Sequence, residues 1–318
     1  MGDGLALPVQ RRRVGGGPTF GATGALLLLV ALNVLFTPHF ATIGSLWNIL
    51  LQLSTVLPIA VGMTFVIATA GIDLSVGSVM AVAGAVAAAL LDRGVGIAIG
   101  GALGAALAMG MLNGVIIARL GVQPIVVTLA TLIAGRGLAQ VISNGGELVT
   151  IADPSFAVLG RGHLGPFPVP VVVAFAVVVG AAAVLRSMPF GRYVLAVGGN
   201  PVAARLAGVP VRRTLIGAYA TCAVLAGIAG LIEASRLAAS DGAKIGLNVE
   251  LDAIAAVVVG GTALAGGRAT VLGTVVGALI MQVIATSFNM LLVPYAWSLA
   301  LKAAIIVMAV YLQRPARV

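Results

Sequence analysis

The sequence predicts an all-α, polytopic membrane protein of about eight to ten transmembrane helices, and three observations lead there. Of 318 residues, 60% are hydrophobic and only 8% charged, against roughly 25% charged in soluble globular domains. The apolar residues fall in long runs, and a helix needs about 20 such residues to cross hydrocarbon. Glycine is abundant, with 43 residues, which suits helices that approach closely through small side chains. Gly100 with Gly104, and Gly273 with Gly277, have the small-xxx-small spacing.

Along the chain, Arg11, Arg12 and Arg13 precede a first apolar run at 20–36. No A-x-A-like cleavage site follows it, so an uncleaved first helix is predicted. Further runs between Gly, Pro and charged breaks lie at 46–70, 74–91, 94–118 and 122–142. The second half offers 166–185, 214–233, 248–264, 269–290 and 296–312. Alternating sides from a cytoplasmic N-terminus places Arg119, Arg186, Arg192, Arg205, Arg212, Arg213, Arg268, Arg314 and Arg317 inside with the first three arginines. Only Arg93, Arg161, Arg236 and Lys244 fall outside. The positive-inside rule expects that asymmetry, so both termini are predicted cytoplasmic. Residues 1–19 and 313–318 are then short tails around one transmembrane domain, 20–312.

The net charge of +9 does not point to nucleic acid, because the basic residues are dispersed among apolar segments; membrane lipid is their natural neighbour. The single cysteine, Cys222, excludes an intramolecular disulfide and a two-cysteine metal site.

The longest predicted cytoplasmic connection, 186–213, carries a written helix. Asn200 is a good N-cap, Pro201 suits the first helical position, and Gly208 with Pro210 supplies a stop. A helix so short is marginal alone in water, so tertiary contacts or a partner must hold it. Ala203, Ala204 and Ala207 would form a small docking surface, flanked by Arg192, Arg205, Arg212 and Arg213. A helix lying on an anionic membrane face is the alternative.

Polar groups within the spans need an account, since a charge in hydrocarbon is costly unless it caps, pairs or faces a cavity. The run Ala70-Gly-Ile-Asp-Leu-Ser-Val-Gly-Ser78 places Asp73, Ser75 and Ser78 between two apolar segments. Asp73 is expected to accept from the N–H of Ser75 or Val76 and start the next helix; contact with a transported solute is the sharper alternative. Glu250-Leu-Asp-Ala-Ile-Ala sets Asp252 before a second small-residue run in the opposite half, as an inverted repeat would. Asn113, Gln123, Arg136 and Gln140 are further polar groups in or at the ends of spans, Arg136 being the costliest. Asp73, Ser75, Ser78, Asn113, Arg136, Gln140 and Asp252 are therefore the candidates for a pathway or helix breaks.

With these motifs in place, the chain resembles the permeases of bacterial ABC importers for ribose, xylose, arabinose and galactofuranose, over about 46–313. The carriers are Val61-Gly-Met-Thr-Phe-Val-Ile-Ala-Thr-Ala-Gly-Ile-Asp-Leu-Ser-Val-Gly-Ser78, Ala134-Gly-Arg-Gly-Leu-Ala-Gln140, Gly198-Gly-Asn200 and Glu250-Leu-Asp-Ala-Ile-Ala. Val149-Thr-Ile-Ala-Asp-Pro154 and Ser240-Asp-Gly-Ala243 look most like galactofuranose permeases. The resemblance implies an inner-membrane location, a second permease (identical or a sister chain), a tandem ATP-binding subunit and a periplasmic sugar-binding protein. It makes the segment 200–208 a coupling helix, with Arg192, Asn200, Pro201, Ala204, Arg205 and Gly208 as its ATPase-facing residues.

No G-x-x-x-x-G-K-[S/T] loop is present, and neither Lys244 nor Lys302 follows a glycine. The chain is thus expected to hold no cofactor, ATP and magnesium being used by the partner. Two alternatives stay open at this point: a permease for another small polar solute, and a secondary transporter, which also uses inverted repeats and intramembrane acids. A membrane hydrolase finds no support, since neither a G-x-S-x-G elbow nor an H-E-x-x-H pair occurs.

Overall fold

The computed structural model of the chain describes residues 18–312. The predicted tails lie outside the described residues, except that positions 18 and 19 already belong to the first helix.

The first half contains α1 (Pro18–Phe36), α2 (Ile43–Ala68), α3 (Val76–Leu90), α4 (Val95–Leu120) and α5 (Pro124–Ile142). Thr42 caps α2 by accepting from Ser45 N at 3.2 Å, α4 ends on Gly121 at φ +69°, and Pro124 opens α5. A connecting stretch follows: β1 (Leu148–Thr150), α6 (Pro154–Arg161), β2 (His163–Leu164) and β3 (Phe167–Pro168). Asp153 caps α6 by accepting from Phe156 N at 2.9 Å.

Next come α7 (Val169–Ser187), α8 (Pro189–Gly199), α9 (Pro201–Leu206) and α10 (Val211–Leu237). The chain closes with β4 (Ala239–Asp241), α11 (Val249–Val259), α12 (Val271–Met290) and α13 (Tyr295–Leu312). The strands β1 and β4 pair antiparallel, Val149 opposite Ser240, and tie the two long connections together.

Among the described residues, 7 helices are long and apolar enough to cross a membrane: α2, α3 with its 3-10 extension, α4, α5, α7, α10 and α12. Two shorter apolar segments, Phe20–Phe36 and Ala296–Ala309, belong to α1 and α13. The predicted span 248–264 is corrected. Its helix α11 has 11 residues, about 16 Å at 1.5 Å per residue, or half a bilayer. The chain breaks after it because Gly261, Gly266 and Gly267 take φ of +91°, +81° and +73°, values that end a right-handed helix.

Helices α2 and α10 form the centre and run antiparallel. Gly62 lies against the backbone of Cys222, and Arg236 Nη1 donates to Leu51 O at 3.1 Å. Around them the halves exchange partners. Helix α10 packs on α3 and α4 of the first half, while α2 packs on α11 and α12 of the second. Within the halves, α3 touches α4 and α5 as α11 touches α12 and α13. Each half thus repeats the neighbours of the other around an antiparallel central pair. The outer surfaces of α4, α5 and α7 are apolar and largely uncovered, Ile133, Val141 and Phe175 among them.

The two glycine pairs singled out in the sequence fare differently. Gly277 is pressed on Ala256 of α11 and Gly273 on Gly260 just past its end, whereas Gly100 and Gly104 have nothing within 4 Å. On α4 the close approach is made instead by Gly110 and Gly114 against Tyr219 and Ile216 of α10.

Candidate functional site

The interruption between α2 and α3 forms a closed polar joint. Asp73 Oδ1 accepts from Ser75 N at 2.9 Å and from Ser75 Oγ at 2.6 Å. Asn113 Nδ2 on α4 donates to Ser75 Oγ at 2.9 Å, and Thr131 on α5 donates to Asn113 Oδ1 at 2.5 Å. Ser78 Oγ donates back to Ser75 O at 2.8 Å. Three helices, α3, α4 and α5, thus meet the connecting segment in one network whose members Asp73, Ser75, Ser78 and Asn113 are fully buried. Asp73 Oδ2 and the hydroxyl of Tyr219, which sits over Gly71, have no partner among the described residues. The joint is sealed from the surface, so Asp73 touches no open path in this conformation.

The open polar space lies elsewhere. At the end of the bundle opposite α9, a cavity of about 530 Å³ opens between α2, α10, α11, α12 and α13, with the segment after β4 at its rim. Asp252 lines it and pairs with Lys302 Nζ of α13 at 2.7 Å. Gln282 Nε2 on α12 donates to Gln52 Oε1 on α2 at 2.9 Å and to Thr286 Oγ1 at 3.2 Å. Glu233 and Arg236 of α10 pair at 2.9 Å on the same wall.

Arg136 stands behind the rim. Its guanidinium donates to Ile245 O at 2.6 Å and to the carbonyls of Gly242, Ala243 and Gly246, fastening the segment that shapes the mouth. Backbone carbonyls receive the charge that hydrocarbon would not. Gln140 lies beside Gly146 in the turn after α5 and does not line the cavity. Of the predicted pathway residues, then, one faces the cavity, one supports its rim and four form the separate joint. Sequence reasoning missed Gln52, Gln282, Glu233 and Lys302. A signal existed: 282, 286 and 289 are polar positions on one face of an otherwise apolar helix, and Lys302 is a lone charge in an apolar run.

At the other end, Asn200 Oδ1 accepts from Val202 N and Ala203 N, both at 3.0 Å, with Pro201 as the first residue of α9. Gly208 ends the segment at φ +79°. Ala204 faces inward against Val197 and Val211, which corrects its assignment to the docking surface. Ala203 and Ala207 are exposed, beside Val202 and Leu206 at 68% and 85%, with Arg192 and Arg205 also open to solvent. The helix α8, read as loop from the sequence, carries α9. A side chain at Gly198 of α8 would collide with Ala68 O and Gly267 N, and Gly267 N donates to Ala68 O at 2.9 Å. The α9 platform therefore rests directly on the end of α2 and on the turn between α11 and α12.

Residues 45–310 match the family described as branched-chain amino acid transport system / permease component. The chain belongs to this permease family. It is a multi-pass inner-membrane protein and the permease component of a transport system. Its relatives include the ribose import permease protein RbsC of Escherichia coli strain K12, 41% identical over 90% of each chain. The galactofuranose transporter permease protein YtfT of the same strain is 40% identical over 91% of this chain and 87% of its own. The L-arabinose ABC transporter permease protein AraH of Azospirillum brasilense is 37% identical over 91% of this chain and 86% of its own. No solved structure matches the permease.

Proposed function

We propose that this permease is the translocating subunit of an ABC importer for a monosaccharide, a pentose or hexose. An extracytoplasmic binding protein delivers the sugar, and a tandem cytoplasmic ATPase, holding ATP and magnesium, supplies the work. The observation that carries this reading is the near-complete shared length with sugar import permeases, 90% of both chains at 41% identity. Ribose and galactofuranose relatives stand at 41% and 40%, so identity selects the class and not the sugar.

In this reading the arginine-rich end with α9 faces the cytoplasm, and the cavity at the opposite end faces the binding protein. Val202 and Leu206 insert in the ATPase with Arg192 and Arg205 beside them, while Asn200, Pro201 and Gly208 shape the helix that presents them. A second permease, identical or a sister chain, covers part of the apolar outer surface of the bundle. The joint at Asp73 acts as a stiff corner that transmits motion of α2 to α3; Asp252, on the open side, borders the sugar's path.

The test is uptake of labelled D-ribose and D-galactose into proteoliposomes holding the complete importer. ATP-dependent uptake that requires the binding protein is expected. Uptake that persists without ATP hydrolysis and collapses with the proton gradient would instead establish a secondary transporter.

A further inference from the structure

The cavity opposite α9 has a charge balance that itself specifies the solute. Three acids and three bases line it, and each is paired within the chain: Asp252 with Lys302 at 2.7 Å, Glu233 with Arg236 at 2.9 Å, Asp241 with Lys244 at 3.7 Å. A zwitterionic amino acid entering here would have to displace an internal partner to gain a full counter-charge, the loosest pair being Lys244, 84% exposed, with Asp241, and desolvating it without one is costly. What the wall does offer is amides. Gln52 of α2 and Gln282 of α12 meet across the cavity; Gln52 Nε2 also donates to Asn48 Oδ1 at 3.0 Å, on the exposed side, and Gln282 Oε1 is left without a partner among the described residues. Asn289, about two turns further along α12, is exposed to the same space.

An amide presents a donor and an acceptor side by side, as a hydroxyl does, so it complements a polyol without imposing a charge. From this geometry we infer that the chain carries its own sugar subsite, centred on Gln52 and Gln282, which reads hydroxyl groups and excludes charged solutes. The inference rests on the importer reading above and adds that selection is not left to the binding protein alone. None of the described residues lining the cavity is aromatic, so the ring faces of a sugar gain no stacking there. Binding is accordingly weak, as a transit site requires, since a solute held tightly would not leave. The volume of about 530 Å³ lies in the ordinary range of small-ligand sites.

The lone Cys222 is fully buried, which makes a direct assay simple. In a Cys222→Ala background, Asn289→Cys is placed in the purified permease–ATPase complex, without binding protein, and labelled with a small water-soluble thiol reagent. D-ribose is expected to slow labelling, with half-protection at roughly millimolar sugar, while L-leucine at equal concentration has no effect. Adding Gln52→Leu or Gln282→Leu should raise the half-protecting concentration roughly three- to tenfold, the worth of a neutral hydrogen bond. Gln282→Asn, which keeps the amide, should recover part of the loss. Equal labelling with and without D-ribose, protection by L-leucine, or leucine variants that protect like the parent would each overturn the subsite. Since no uptake is measured, these outcomes are separate from the ATP-driven assay that tests the importer reading.

Discussion

Asp73 shows how one carboxylate can fix a corner. Its Oδ1 takes two hydrogen bonds from Ser75, and Ser75 in turn receives Asn113. Asp73→Asn keeps an oxygen at the position of Oδ1 and is expected to leave a folded protein. Asp73→Leu strips Ser75 N and Oγ of their acceptor inside a sealed network, at a cost of about 1–3 kcal/mol for each group stranded. The thermal midpoint of the detergent-purified protein checks this, and a leucine variant as stable as the parent contradicts it. Lys302 and Asp252 make the complementary case, a pair with side chains 8% and 28% exposed. Lys302→Met alone strands a carboxylate and is expected to destabilise more than Lys302→Met combined with Asp252→Leu, which removes both charges. Equal melting of single and double variants would contradict that ordering. Asp73 was legible in the sequence because it interrupts an apolar run locally. Its partners Asn113 and Thr131 lie on other helices, and Lys302 gave no sign of which acid it meets, because pairing across helices leaves no trace in local spacing.

At the scale of elements, legibility follows where the cause of the structure resides. The signals that make α9 are all within nine residues: the Asn200 cap, Pro201 and the positive φ of Gly208. The segment Pro189–Gly199 contains Gly191, Gly198 and Gly199, poor helix formers. It is helical because Gly198 lets it sit on the backbone of Ala68 and Gly267, a tertiary cause that no local pattern reports. The same contact makes α8 the mechanical link from α9 to both halves. Gly198→Ala puts a methyl into those backbones, and overpacking of that kind costs about 1–3 kcal/mol. The expected result is a complex that assembles but transports less sugar per ATP hydrolysed, measured as the ratio of uptake to phosphate release. Leu206→Asp acts one step earlier, on a side chain exposed to solvent in the isolated chain. It should leave insertion and melting intact while abolishing sugar-stimulated ATP hydrolysis. Stimulation that survives the aspartate would remove α9 from the coupling path.

Across the whole molecule, the two halves repeat their neighbours but not their closeness. Helices α3 and α4 meet where Gly101 faces the side chain of Leu90, a contact that can adjust. Their counterparts α11 and α12 meet backbone to backbone, with Gly277 against Ala256 and Gly273 against Gly260. The shortness of α11 and the glycine-rich turn after it belong to this tighter half, which also walls the cavity. The composition announced a glycine-packed bundle; which glycines pack depends on how the halves are arranged in space, and spacing alone does not say. Gly104 and Gly277 each belong to a small-xxx-small pair, yet they should respond oppositely to one substitution. At Gly277 a Cβ already collides with Ala256 O and lies 2.9 Å from Gly260 N, so Gly277→Leu must part α11 from α12 and open the side of the cavity. At Gly104 nothing stands within 4 Å, and Gly104→Leu adds an apolar side chain to an apolar outer surface, where hydrocarbon accepts it. Expression and monodispersity in mild detergent should be lost for Gly277→Leu and kept for Gly104→Leu. Equal behaviour of the two variants would mean that the tight pairing of α11 with α12 does not hold the second half together.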